Sequence, residues 1–186
     1  MPDSSPFSAS LDAKAGIDIP EPHFSSTLLV FQLSDRVAAV RLEDVERITP
    51  MAELASPPGL PSALEGVLNL AGVAIPVLRL DRLFGLPTQQ LGLHSMLIIL
   101  RAPREGGIAI LVDRATEILS VFESAFLPID QEDSFNGCAE ATVAVRDDII
   151  HVLSPTRMLV AKEQAALTEF QIMAQRRLQE WEASQT

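Results

Sequence analysis

The stretch EGVLNLAGVAIPVLRLDRLFGLP, from Glu65 to Pro87, is almost wholly apolar and contains no Ser, His or Cys. Two short apolar runs, GVLNLAG and VAIPVLRL, are bracketed and split by Gly66 and Gly72, which is the pattern of a β-hairpin. Pro76 interrupts the second run. Proline has no N–H for a ladder, so this strand is expected at a sheet edge, or bulged at that point. Leu80, Leu83 and Phe84 then fall at helical spacing, and Gly85 and Pro87 end the segment as they end a short helix. The most distinctive residues of the chain thus lie where nothing is reactive, and this shifts the weight from catalysis toward binding.

On the N-terminal side, PMAELASPPGLPSALEG carries four prolines from Pro50 to Pro61, which makes it a connection and not a central strand. Before it, TLLVFQL alternates and turns at Ser34-Asp35-Arg36, and VAAVRL returns as the second arm of a hairpin. LEDVERI is expected to close this unit as a helical turn or an irregular strand. Residues 1–26 are rich in Ser, Pro, Asp and Ala without periodicity and read as a flexible tail. Beyond Pro87, SMLIILRAP and GGIAILVDRATEIL are β-rich runs joined by PREGG. SVFESAFLPIDQED reads as an irregular connection, and AEATVAVRDDIIHVLS as a strand pair turning at Arg146-Asp147-Asp148. Many short strands with frequent turn signals favour small antiparallel barrels over a parallel α/β sheet. The expected fold class is mainly β with a C-terminal α-helix.

Composition narrows the function. The chain has 186 residues, 47% of them hydrophobic, enough for a sizeable core without staples. Its net charge of −11 argues against nucleic-acid binding, which needs a concentrated basic surface. Eight carboxylates against the single base Arg146 lie between Glu117 and Asp148, a solvated face or a surface that steers a basic partner. The lone Cys138 excludes an intramolecular disulfide and fits a reducing cytoplasm. Its acidic surroundings favour a structural thiol over a catalytic one. His23, His94 and His151 are scattered, and no H-x-x-x-H, H-E-x-x-H or C-x-x-C pattern is present, so no metal or cofactor is expected. Neither a G-x-S-x-G elbow nor a Walker loop occurs. The expected protein is non-enzymatic, cytoplasmic and not inserted in a membrane.

The segment PPGLPSALEGVLNLAGVAIPVLRLDRLFGLP resembles the hallmark of the CheW-like coupling proteins of bacterial chemosensory arrays: a proline-rich approach, G-V-x-N-x-x-G, an apolar strand and a leucine-rich turn. LLVFQLSDRVAAVRLEDVERI resembles the opening strands of that family. SMLIILRAPREGGIAILVDRATEIL resembles its middle, with Asp113 at the usual Val-Asp position, and VAVRDDIIHVLSPTRML resembles its closing hairpin and helix. The resemblance implies two five-stranded, SH3-like barrels that share an apolar seam, spanning 27–160. It also implies two partners bound at the seam and strand edges: the cytoplasmic tip of a chemoreceptor, and the regulatory domain of a CheA-type histidine kinase. The protein would then sit at the inner face of the membrane through receptor arrays. The implied partner-binding residues are Val45, Arg47, Ile48, Gly66, Val67, Asn69, Leu70, Ala71 and Gly72. Two of them depart from the family pattern. Ala71 replaces the arginine of N-L-R-G, and Arg47 occupies the acidic place of V-x-E-I, so partner choice is expected to differ. An alternative from another class is a competitor or capping module that binds one partner without bridging.

The C-terminal stretch 161–186 reads as an amphipathic helix, with Pro155 placed where a helix can start. Leu167, Phe170, Ala174, Leu178 and Trp181 recur at spacings of three and four. This face either packs on the barrels or offers Phe170, Leu178 and Trp181 as a further partner surface.

Overall fold

A computed structural model describes residues 26–88, 90–101, 107–129, 134–145 and 148–183. Strands β1 (Ser26–Leu33) and β2 (Arg36–Arg41) form the first hairpin. A 3-10 turn at Leu42–Asp44 leads to β3 (Val45–Pro50), so LEDVERI is a helical turn followed by a strand. Next come β4 (Leu64–Leu70), β5 (Val73–Arg79) and the short helix α1 (Leu80–Leu83). They are followed by β6 (Met96–Leu100), β7 (Ile108–Val112) and β8 (Arg114–Val121). The chain ends with β9 (Phe126–Leu127), β10 (Ala139–Val145), β11 (Asp148–Leu153) and the long helix α2 (Pro155–Ala183). Helix α2 starts on its proline and passes unbroken through residues 160 and 161.

These strands form two sheets, in the orders β8-β1-β2-β11-β10-β9 and β3-β6-β7-β5-β4. The mainly β architecture of two small sheets with a C-terminal helix is the one expected, with the two-residue β9 as a sixth strand of the first sheet. The run GGIAILVDRATEIL, read as one β-rich unit, divides at Asp113: β7 belongs to one sheet and β8 to the other. The connection after it also contains β9 and a 3-10 turn at Glu123–Ala125. Most of PREGG, the Arg146-Asp147 turn and residues 1–25 lie outside the described residues.

Three apolar layers hold the sheets. Leu28, Val30, Ala39 and Val152 pack within the first sheet's own core. Leu97, Ile99, Ala109 and Leu111 do the same for the second. Between them lies a shared core of Leu29, Phe31 and Val40 from the first sheet and Ile98, Leu100 and Ile110 from the second, with Met158 of α2. Neighbouring residues in β1, β6 and β7 therefore point into different cores. Strands buried on both faces read as continuous apolar runs, which is why LLVF, MLIIL and IAILV show little alternation.

Pro76 marks the one expectation about strand position that fails. Strand β5 is internal, paired antiparallel with β4 and parallel with β7. Its pairing with β7 begins at Val77, immediately after the proline, and the register shift against β4 lies near Leu64 and Gly66 instead. The sheet accommodates Pro76 because its nitrogen sits where the second neighbour has not yet begun.

Candidate functional site

The hallmark hairpin is anchored at its base by charge. Arg79 is 5% exposed and Asp81 4%. The Arg79 guanidinium donates from Nε to Asp81 Oδ1 at 2.8 Å and from Nη2 to Oδ2 at 2.5 Å. Its Nη1 reaches Glu65 Oε2 at 3.4 Å, and Arg82 Nη2 meets the same oxygen at 2.7 Å. Hydrogen bonding to Asp81, with the attraction of both carboxylates, strengthens proton binding by Arg79 against the opposing effect of burial. Arg82 also donates to the carbonyls of Ser62 and Leu64, so β4 and α1 are fastened together. The sequence reading missed these four residues. For Arg79, Asp81 and Arg82 the signal was R-L-D-R, three charges set in an apolar run.

At the other end the hairpin turns through Ala71 and Gly72, with φ of +51° and +89°. Positive φ at both central residues is the turn that matches strand twist, normally filled by Asn-Gly. Asn69 does serve a backbone group: its Oδ1 accepts from Gly72 N–H at 2.9 Å. Asn69, Ala71 and Gly72 are exposed, whereas Leu70 is half-buried against the second sheet's core.

Gly66 and Val67 lie elsewhere in character. Gly66 is buried, and a Cβ there would stand 2.7 Å from Leu54 Cβ and 2.9 Å from the Ala55 carbonyl oxygen. Val67 and Ala55 exchange two backbone hydrogen bonds, of 2.8 and 2.9 Å. The close approach that Gly66 permits is thus made by the chain itself, whose proline-rich connection covers this part of the β4 edge.

Val45, Arg47 and Ile48 lie on β3, which among the described residues pairs only with β6. Val45 is half-buried against the shared core, while Arg47 and Ile48 are exposed. Ile48 stands opposite Ile98, a shared-core residue, and so carries that layer one strand outward. The same arrangement recurs on the first sheet. On its edge strand β8, Ile118 stands opposite Leu29 of the shared core and is 61% exposed. Ile118 was not singled out in the sequence, because a pairing partner nearly ninety positions away (Leu29) is invisible locally. The centre of the seam is filled by the protein's own side chains; its apolar layer reaches solvent on β3 and β8.

Asp113 sits where the chain crosses between sheets. Its Oδ2 accepts the N–H of Ser34 at 2.6 Å, and its own N–H donates to the Gln32 carbonyl at 3.1 Å. It therefore fixes the β1–β2 turn, where Ser34 has a φ of +55°. Cys138 is buried, and burial pushes its thiol up to about 11 despite the countering charge of Arg157. A thiol so placed stays protonated at neutral pH. His151 packs edge-on to Phe135 at 4.7 Å, and His94 lies in an exposed turn; His23 is outside the described residues. Among the described residues no group of three or more His, Cys, Asp or Glu comes together to hold a metal ion.

Helix α2 buries Met158 and Ala161 in the shared core. Its Glu169 carboxylate accepts from the backbone N–H and the hydroxyl of Ser62. Phe170 is exposed; the side chains of Leu178 and Trp181 lie outside the described residues. No helix among the described residues is long and apolar enough to cross a membrane.

Two small β-barrels joined by a common apolar layer, with a terminal helix laid on them, define a twin SH3-like domain. The chain belongs to the CheW-like family: the model of the CheW-like domain matches residues 27–163. It is similar to the chemotaxis protein CheW of Thermotoga maritima, 23% identical over 132 residues, which cover 71% of this chain and 86% of that protein. It is also similar to CheW of Bacillus subtilis, 29% identical over 97 residues covering 52% of this chain and 62% of that one. Among solved structures, the scaffolding protein CheW of Thermoanaerobacter tengcongensis superposes with a TM-score of 0.66 at 22% identity, covering 69% of this chain and 88% of that chain.

Proposed function

We propose that this protein is a non-enzymatic adaptor that couples the cytoplasmic tip of a chemoreceptor to the regulatory domain of a CheA-type histidine kinase. It would act in the cytoplasm, at the inner face of the membrane through receptor arrays. The observation that carries this reading is the pair of open edges. Strands β3 and β8 belong to different sheets, and each presents an exposed isoleucine continuous with the shared core. One rigid body with two separate apolar edges can hold two partners at once. Edge strands also leave backbone donors and acceptors unpaired, so each partner can add ladder hydrogen bonds to the apolar contact.

The changed residues fit altered partner choice. Ala71 occupies an exposed turn and Arg47 an exposed edge position, so both meet an incoming surface without disturbing the core. A repulsive charge at such a place discriminates between partners as effectively as a new attraction. The substitution pair Ala71→Arg and Arg47→Glu should raise affinity for a conventional receptor tip; unchanged binding in a pull-down would count against the specificity reading.

The decisive experiment mixes the purified chain with a receptor-tip fragment and the kinase regulatory domain, and measures the mass of the complex in solution. A ternary complex is expected. Binding of either component only at the expense of the other would turn the reading to that of a capping module.

A further inference from the structure

The N-terminal tail as a whole has no sustained pattern, but nine of its positions do. In Leu11-Asp12-Ala13-Lys14-Ala15-Gly16-Ile17-Asp18-Ile19 every odd position is apolar, and every even one is charged or glycine. Strict alternation over such a length is the signature of a strand with one buried face. Pro20 and Pro22 close the run as turn residues do, and the six residues 20–25 then lead to Ser26 at the start of β1. Strand β1 has no room beside it, since β2 and β8 flank it. An added strand must therefore use the next edge outward, the far side of β8. Ser26 stands opposite Val121, the last residue of β8, so the chain enters the fold at the end of that strand.

We propose that residues 11–19 lie as a strand along the outer edge of β8 in the free chain, and that a partner gains this edge by displacing them. Length and reach agree. Nine residues match the eight of β8. The step from β1 across β8 to its far side is two strand spacings, about 10 Å. Six residues span up to about 20 Å, enough for that step. They cannot also span the length of β8, about 26 Å. Ile19 therefore lies at the Val121 end, and the added strand runs parallel to β8. The exposed isoleucine fixes the face. Ile118 is 61% exposed on the shared-core side, and the odd series from Leu11 to Ile19 supplies an apolar row to cover it. Asp12, Lys14 and Asp18 then fall on the side of Glu117, which is exposed. An open edge is a liability that a covering segment removes. The displacement step rests on the adaptor reading; the cover itself does not.

The test uses the full-length chain and amide hydrogen exchange read residue by residue. In the wild type the outward-facing amides of residues 114–120 are expected to exchange about tenfold more slowly than in Ile17→Asp/Ile19→Asp, which breaks the apolar series. The amides of β1 and β7 are the control for folding and should not change. Equal exchange at β8 in the two proteins overturns the cover. Its place is read by disulfide trapping. Ile17→Cys/Ile118→Cys should close within one chain, whereas Ile17→Cys/Ile48→Cys, aimed at the other sheet, should not. Cys138 is buried and does not compete. Equal trapping of both pairs, or a disulfide between two chains, overturns the placement on β8. Affinities for receptor tip and kinase regulatory domain then read the displacement. Ile17→Asp/Ile19→Asp should bind one of them about tenfold more tightly than the wild type does. Unchanged affinity for both overturns the displacement. If neither partner binds either protein, the adaptor reading fails, while exchange and trapping still decide the cover.

Discussion

Strands β4 and β8 are both outermost strands of their sheets, yet they are finished in opposite ways. The outer edge of β4 is met by its own chain, through the paired bonds of Ala55 and Val67 and the seating of Leu54 over Gly66. Among the described residues strand β8 pairs only with β1 and leaves Ile118 in solvent, continuous with a buried layer. An exposed edge with an apolar side chain invites association, and proteins that do not use such an edge usually cover it. The conspicuous glycine motif is therefore largely an internal joint, while the inconspicuous β8 retains the features of a docking edge.

The largest effect should come from loosening the base of the covered region. Asp81→Ala leaves the Arg79 guanidinium buried without its bidentate acceptor. Removing one member of a buried pair typically costs about 3–5 kcal/mol. Urea denaturation should show a loss of that order. A change below about 1 kcal/mol would mean that water or Glu65 replaces Asp81 and that the anchor is not what holds the hairpin.

Next comes the cover itself. Gly66→Ala drives a methyl group into Leu54 Cβ and the Ala55 carbonyl, both under 3 Å from the new atom. Overpacking of this kind costs about 1–3 kcal/mol, and here the loop 51–55 is the part able to move. The expected signature is a lower unfolding midpoint together with faster proteolysis at 51–55. If protease sensitivity stays at the wild-type level, the connection does not cover β4 as described.

Much of this contrast was hidden in the sequence for physical reasons. Hairpins were legible because their turn residues sit between short apolar runs, as at Ser34-Asp35 and Ala71-Gly72. The cover was not, because the seating of Ala55 on Val67 depends on a fold-back across twelve positions with no periodic pattern to announce it. The parallel contacts β2–β11 and β5–β7 leave no local trace either, so nothing countered the edge expectation that Pro76 raised for β5. The crossing at Asp113 was masked by an unbroken β-like run on both sides. The site divided along the same line: Asn69, Ala71 and Gly72 are where a turn reading puts them, whereas Ile118 emerges only once β8 is paired with β1.

The open edges give a sharper separation of stability from binding. Ile118→Lys and Ile48→Lys change exposed positions, so each should shift stability by no more than about 0.5 kcal/mol. Each is expected to abolish binding of one partner and spare the other, because the two residues lie on different sheets. Binding of receptor tip and kinase domain, measured separately by calorimetry, reads this directly. Loss of neither partner with either variant would remove the functional half of the contrast between β4 and β8.

The smallest expected change is a gain. Ala71 holds a φ of +51°, a left-handed conformation in which an ordinary side chain crowds its own carbonyl at a cost of about 1–2 kcal/mol. Asparagine tolerates this region better, and Asn-Gly is the preferred pair for such a turn. Ala71→Asn should therefore raise stability, by about 0.5 kcal/mol, visible as a small upward shift of the unfolding midpoint. The companion substitution Ala71→Arg relieves nothing, since arginine has the same backbone preference as alanine there, and it should be neutral for stability while changing partner affinity. Together the two variants separate what the turn needs in order to fold from what its outward face offers a partner: a gain with arginine as large as that with asparagine would show that backbone strain at this turn is not the operative term.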